Sequence, residues 1–145
     1  MTEVTKSRPP PHTVELRRWS LVCPDDLRSL RRSLDQVLAD LRPTGDETRA
    51  EVSERMALVA TELATNALQH GLPPTTVRLL RHDDRLVLDV ADHDPHHAPV
   101  DTAASLTNQR GRGLPIARAM SLDVGWYPAG DTKHVWASFA VETEP

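Results

Sequence analysis

Glu62 and Asn66 are the first pair of residues in the sequence whose types and spacing could do chemistry. They lie four positions apart in a segment with helical periodicity, so their side chains project from the same face. A carboxylate can accept a proton, and an amide oxygen is a neutral hard ligand that suits Mg2+. Such pairs also occur on solvated helix faces. On the predicted register, however, this pair lies beside the apolar stripe and would edge a cleft.

A second chemical signal is the run Gly111-Arg112-Gly113-Leu114, which precedes a predicted helix. Glycines two positions apart let backbone amides approach a ligand closely, and a helix N-terminus suits phosphate. Arg112 could add positive charge. An ordinary tight turn is the alternative interpretation, although the chain has only six glycines and two of them lie here.

Asp92 is the third signal, because it ends a predicted strand of apolar residues and should project into a cleft. A carboxylate there can accept a hydrogen bond from an exocyclic amine such as that of adenine. A strand-end Asx turn is the alternative. The run from Asp92 to His97 is also dense in imidazoles and carboxylates that could hold Zn2+, but no helical spacing orders them.

These residues must be positioned by predicted helices and strands. A strand is predicted over residues 13–23, and Pro24-Asp25-Asp26 begins a helix that ends at Pro43. Thr44 and Glu47 have capping-box spacing at the start of a second helix, which Gly71 ends. The apolar positions of the two helices have three-and-four spacing: Leu27, Leu30, Leu34, Val37, Leu38 and Leu41 in the first, and Val52, Met56, Val59, Leu63 and Ala67 in the second.

The second half of the chain predicts two hairpins around a functional lid. Strands over 76–81 and 85–91 are joined by a turn at 82–84, and strands over 123–127 and 133–141 by a turn at 128–130. Residues 92–112 show no convincing period and predict the lid, followed by a short helix over 114–121. This order predicts an α+β fold, with helices on one face of a mostly antiparallel sheet.

Composition narrows the class of protein. A chain of 145 residues predicts one domain, over residues 13–145, after a disordered leader over residues 1–12. The net charge of −4 argues against a protein that binds nucleic acid through its phosphates. No segment is long and apolar enough to span a membrane, and the N-terminus lacks a signal-peptide core, so we expect a cytoplasmic protein. The single cysteine, Cys23, is expected to be a buried structural thiol.

The three segments together resemble a known family. Four features occur in the family's order: a Glu-x-x-x-Asn helix that ends in His-Gly, a strand-terminal Asp, a lid that ends in Gly-x-Gly-Leu, and the segment over residues 130–137. The chain resembles the GHKL ATPase/kinase superfamily over roughly residues 24–140. More narrowly, it is similar to the stand-alone histidine-kinase-like ATP-binding domains of the anti-sigma-factor serine/threonine kinase type, which are abundant in actinomycetes.

The resemblance implies a two-layer Bergerat-type α/β sandwich that binds ATP and Mg2+ between the helices and the lid. It implies a Mg2+ ligand at Asn66, activation of the attacking hydroxyl or water by Glu62 and adenine recognition by Asp92. It also implies phosphate contacts from the lid residues Gly111, Arg112, Gly113 and Leu114, and a contact of the Thr132 hydroxyl on the base side of the site.

One departure from the family pattern concerns the strand-terminal acid. Family members commonly carry Asp-x-Gly-x-Gly, whereas this chain has Asp92-His93-Asp94-Pro95-His96. Both glycines are missing, and Pro95 stiffens the backbone where close approach to the nucleotide is usual.

The leading expectation for function is an ATP-binding anti-sigma factor that phosphorylates an anti-sigma-factor antagonist. Its partners would be that antagonist and a sigma factor, with no direct contact to nucleic acid or membrane, and it could form a homodimer. The alternative is a non-catalytic module that sequesters a regulatory partner, with nucleotide bound weakly or not at all. A metal-dependent hydrolase that uses the His- and Asp-rich segment is a remote third hypothesis.

Overall fold

The computed structural model describes residues 5–40, 47–95, 117 and 119–141, and these contain two α-helices and five strands. In chain order the elements are β1 (Val14–Leu21), α1 (Asp26–Val37), a 3-10 turn (Leu38–Asp40), α2 (Arg49–His70), β2 (Thr75–His82), β3 (Arg85–Asp92), β4 (Asp123–Ala129) and β5 (Thr132–Ala140). This order confirms the predicted strands and the first two helices. The predicted lid lies mostly outside the described residues, and Ala117, Ala119 and Met120 are helical within the predicted short helix.

The five strands form one sheet in the order β1-β2-β3-β5-β4, and every neighbouring pair is antiparallel. One parallel bridge joins Lys6 to Trp126 at the β4 edge. The predicted α+β class, with a mostly antiparallel sheet, is therefore confirmed. Neither α-helix among the described residues combines the length and apolar character that a membrane crossing needs.

The hydrophobic core lies between the two helices and one face of the sheet. Strand alternation sends every second residue of β2, β3 and β5 toward the helices. The apolar stripes of α1 and α2 meet these residues, which explains why both helices cover the same face. The buried residues that share this cluster include Leu30, Leu34, Met56, Val59, Leu63, Val77, Leu79, Leu88, Val90, Val135, Ala137 and Phe139.

Helix α2 begins four residues later than the sequence predicts. Its N-cap is Thr48, whose side chain accepts a hydrogen bond from the Glu51 backbone N–H at 3.1 Å. The Glu51 carboxylate in turn accepts from the Thr48 N–H at 2.9 Å, which completes a capping box. The predicted box of Thr44 and Glu47 is wrong: both pairs have the same spacing, and Glu47 instead forms a 3.1 Å ion pair with Arg55. Thr44 itself lies outside the described residues.

Cys23 is exposed, so the predicted buried thiol is wrong. The residue follows β1 in the turn that leads into α1. Its backbone N–H and that of Val22 donate to the Asp26 carboxylate, at 3.2 and 2.8 Å. These backbone hydrogen bonds lower the pKa of Asp26. Cys23 therefore belongs to a hydrogen-bonded surface turn and not to the strand interior.

Residues 5–8, which the sequence assigns to a disordered leader, lie along the edge of β4. The Ser7 N–H donates to the Trp126 carbonyl at 2.8 Å, and the Trp126 N–H donates to the Thr5 carbonyl at 3.1 Å. The indole N–H of Trp136 donates to the Ser7 carbonyl at 2.9 Å. This part of the leader is thus attached to the sheet, while residues 1–4 lie outside the described part of the chain.

Candidate functional site

Asp92 ends β3 on the face of the sheet that the helices cover, and its side chain is only 3% exposed. One carboxylate oxygen, Oδ1, accepts a hydrogen bond from the Asp94 backbone N–H at 2.8 Å. The other, Oδ2, lies 3.4 Å from the ammonium of Lys133. The strand-end Asx contact and the inward orientation, which were alternatives in the sequence, therefore occur together.

The end of α2 lies directly against Asp92 because Gly71 has no side chain. A Cβ atom at Gly71 would overlap the Asp92 carboxylate. The Gly71 backbone is extended, so close approach and not a left-handed conformation requires glycine here. A hydrogen bond from the His93 N–H to the Leu72 carbonyl, at 2.9 Å, also joins the residues that follow α2 to the end of β3. The His-Gly ending of the helix thus seats it on the strand-terminal acid.

Glu62 and Asn66 lie on α2, one turn apart, and both are partly buried. Neither side chain has a hydrogen bond or an ion pair within the part of the chain that the structure describes, so the side-chain oxygens are available to a ligand. Burial raises the pKa of Glu62, because desolvation disfavours its charged form. Asn66 lines a small cavity together with His70, Asp92 and Lys133. The structure therefore brings Asn66 and Asp92 to one cavity, and Glu62 lies one turn of α2 before Asn66.

Thr132 is not brought together with these residues. Its hydroxyl donates to the Ala129 carbonyl at 2.7 Å and lies 2.9 Å from Nε2 of His134, on the sheet face that the helices do not cover. The side chain beside Asp92 comes from the next residue, Lys133, which pairs with Asp92 in the β3–β5 register. The sequence analysis missed Lys133. Its alternation in phase with Val135 was the signal that could have found it.

The opposite face of the sheet carries a buried polar network that the sequence analysis also missed. Asp89 is fully buried, and its carboxylate lies 2.7 Å from Nδ1 of His134 and 3.3 Å from an Arg78 guanidinium nitrogen. The Tyr127 hydroxyl donates to the same carboxylate at 3.1 Å, and its ring stacks on His134. Burial and the Asp89 charge raise the pKa of Tyr127 to about 12. The Asp89 carboxylate thus has three polar partners on this face, from Arg78, Tyr127 and His134.

Several predicted site residues lie outside the described residues. These are the lid residues Gly111, Arg112, Gly113 and Leu114, so their contact with phosphate stays a prediction. His96 and His97 are also outside. Over residues 5–40, 47–95, 117 and 119–141, no group of three or more His, Cys, Asp or Glu side chains is placed to hold a metal ion.

The described residues thus bring two kinds of oxygen group to the same part of the molecule. Asp92 offers a buried carboxylate that can accept a hydrogen bond from an amine. The Asn66 amide, which lines the same cavity, and the Glu62 carboxylate, one turn earlier on α2, offer oxygen ligands of the kind that Mg2+ takes.

Comparison with known proteins agrees with this arrangement. A family model described as the histidine kinase-like ATPase domain matches residues 23–139, a span that contains both helices and all of β2, β3 and β4. Comparison with curated proteins returns no match. The chain therefore belongs to the histidine kinase-like ATPase domain family, whose domains bind ATP.

Proposed function

We propose that this protein is an anti-sigma factor that uses ATP to phosphorylate a serine or threonine of an anti-sigma-factor antagonist. The single observation that carries the proposal is the convergence of Asn66, on α2, with Asp92, at the end of β3, on one cavity. Membership of the family indicates ATP as the ligand. The convergence of the two residues supports a binding site for it.

The described residues fit ATP and Mg2+ in separate roles. Asp92 would accept a hydrogen bond from the adenine amine, and the Asn66 amide oxygen would bind Mg2+, which neutralises phosphate charge. Glu62 would take the proton of the attacking serine or threonine hydroxyl. The hydroxyl oxygen would then bond to the γ-phosphorus as ADP leaves. The raised pKa of Glu62 favours this role, because a more basic carboxylate accepts a proton more readily.

A groove between α1 and α2 supports docking of a protein partner. It has a volume of about 740 Å3 and is lined by three exposed arginines of α1, Arg28, Arg31 and Arg32, and by two acids, Asp35 and Glu54. None of the three has an ion pair among the residues that the structure describes. Unpaired guanidinium groups in a groove favour an acidic partner surface, because they bind carboxylates in bidentate geometry. The proposed antagonist or sigma factor would meet the chain here.

Calorimetric titration with Mg–ATP tests the nucleotide site. We expect the wild type to bind, Asn66→Ala to lose the Mg2+-dependent part of the affinity, and Glu62→Gln to bind but transfer no phosphoryl group. Gln69→Ala is the matched control, since Gln69 is exposed on the same helix. Absence of binding at millimolar Mg–ATP would exclude the kinase.

A second candidate, a docking module without turnover, is favoured by one specific observation. The cavity beside Asp92 is only about 10 Å3, and the Lys133 ammonium lies against the carboxylate. If this candidate is right, Asn66→Ala binds the sigma factor or the antagonist as the wild type does, while Arg31→Glu loses that binding. The kinase instead requires phosphate on the antagonist, detected by mass spectrometry, in a reaction that Glu62→Gln abolishes.

A further inference from the structure

Lys133 is buried in the candidate base pocket. Its side chain is 4% exposed, that of Asp92 is 3% exposed, and 3.4 Å separates the ammonium from the Asp92 carboxylate. We propose that Lys133 is an internal occupant of the base pocket and that a purine binds only when this ammonium leaves Asp92. The inference deepens the proposed function and depends on nucleotide binding at Asp92.

The volume of the cavity supports displacement. About 10 Å3 is open among Asn66, Asp92 and Lys133, which is room for one water molecule at most. Ligand pockets are usually larger than about 300 Å3. A purine therefore needs space that the protein itself now fills.

Lys133 is a part of the wall that can move without disturbing the packed core. Leu63 and Ala67 belong to the packed core, and Val135 lies within the sheet. Gly71 holds Asp92 in place by close backbone contact. The lysine side chain, in contrast, is a flexible four-carbon stem with a strongly hydrated head, and it can swing out to water.

The chemistry at Asp92 makes the exchange selective. An exocyclic amine can donate an N–H to a carboxylate at the position where the ammonium now forms a 3.4 Å ion pair. A base with an amine therefore gives Oδ2 of Asp92 a new partner when Lys133 leaves. A base with a carbonyl in that position directs an acceptor at Oδ2 of Asp92 and leaves that buried oxygen without a partner, which is costly. Moving Lys133 away from Asp92 thus costs free energy, and only a base with an amine offsets this cost through its hydrogen bond to Asp92.

Amine acetylation followed by mass spectrometry tests the displacement in the unmutated protein. The chain has two lysines, so the exposed Lys6 is an internal reference for Lys133. In the free protein we expect Lys6 to react and Lys133 to be protected. With saturating Mg–ADP we expect Lys133 to react several-fold faster and Lys6 to be unchanged. Continued protection of Lys133 in the ADP complex would overturn the proposal.

Calorimetry on variants tests the same exchange through affinity. Because Lys133→Ala removes the competing ammonium, we expect it to bind Mg–ADP about tenfold more tightly than the wild type, or better. Mg–IDP, which has a carbonyl in place of the amine, should show no such gain. Lys133→Arg keeps the cation and should bind no more tightly than the wild type. Lys6→Ala is the matched control for loss of a lysine.

The outcomes separate this inference from the proposed function. If neither the wild type nor Lys133→Ala binds millimolar Mg–ADP, nucleotide binding and the displacement both fail. If the wild type binds and Lys133→Ala binds equally or more weakly, the displacement fails and nucleotide binding stands. Thermal unfolding monitored by circular dichroism verifies that Lys133→Ala is folded. If it is not, the acetylation of the wild type decides.

Discussion

Gly71 and the Asp92 carboxylate are so close that a single Cβ atom at Gly71 would overlap the Asp92 side chain. The end of α2 and the end of β3 therefore meet with nothing between them but backbone and the acid. This contact fixes the position of Asp92 relative to the helix that carries Glu62 and Asn66. Its loss should disturb both stability and ligand binding.

We expect Gly71→Ala to lower the free energy of unfolding by about 1–3 kcal/mol, since the added methyl group must displace Asp92 or the helix end. The same variant should weaken Mg–ATP binding. Urea denaturation and calorimetry measure the two effects.

The control for this prediction is Gly130→Ala. Gly130 has a φ of +63° and nothing near its missing Cβ, so its replacement costs about 1–2 kcal/mol through the backbone alone. We expect that variant to retain wild-type nucleotide affinity. Wild-type affinity in Gly71→Ala would show that the close contact does not position Asp92.

Glu62→Gln should make the protein more stable at pH 7. Burial raises the pKa of Glu62 in the folded state, so the folded chain holds this proton more tightly than the unfolded chain does. The wild type therefore loses stability as pH rises from the unfolded value, about 4.3, through the raised folded pKa. Above that range the loss of unfolding free energy in the wild type is constant. Below it the wild type and Glu62→Gln should have the same unfolding free energy. Denaturant titrations between pH 4 and 8 measure the difference.

The opposite trend would contradict the assignment of Glu62 as a desolvated carboxylate. Glu54→Gln, at an exposed position on the same helix, is the control and should show no comparable gain. A more stable Glu62→Gln variant that transfers no phosphoryl group would show that the charge is retained for function at the expense of stability.

Tyr127 should titrate near pH 12 in the folded protein. It is the only tyrosine in the chain, so phenolate absorbance reports on this residue alone. An unfolded tyrosine titrates near about 10. Since the folded state keeps the proton longer, stability should fall as pH rises from about 10 towards about 12. Tyr127→Phe removes this dependence and is the control, and a native titration near pH 10 would rule out the buried contact with Asp89.

Thr48→Ala should cost about 1 kcal/mol of unfolding free energy, because it removes the N-cap of α2. The hydrogen bonds of the capping box lower the pKa of Glu51, so their contribution is present at neutral pH and is lost as pH falls through that lowered pKa. The cost of the substitution should therefore shrink in acid. Thr44→Ala is the matched control, with an expected change within about 0.5 kcal/mol. Equal costs for both variants would contradict a cap at Thr48.

Local patterns in the chain were sufficient to predict the five strands and the first two helices, although not the first residue of α2. The three-and-four spacing of apolar residues located α1 and α2, and alternation with turn residues located the hairpins. Their order then predicted helices on one face of an antiparallel sheet. The inward orientation of Asp92 followed from its place at the end of an apolar strand. These features depend on neighbours within a few residues, which is why a sequence can reveal them.

Contacts between distant elements decided the rest. Thr44 and Thr48 have equivalent spacing to an acid, and only the folded helix shows that Thr48 is the cap. Thr132 and Lys133 are neighbours on β5, and a register with β3 decides which of them meets Asp92, since successive strand residues face opposite sides of a sheet. The small cavity beside Asp92 and the polar network around Asp89 are both formed by residues far apart in the chain. They exist only because the packing of strands and helices brings those side chains together.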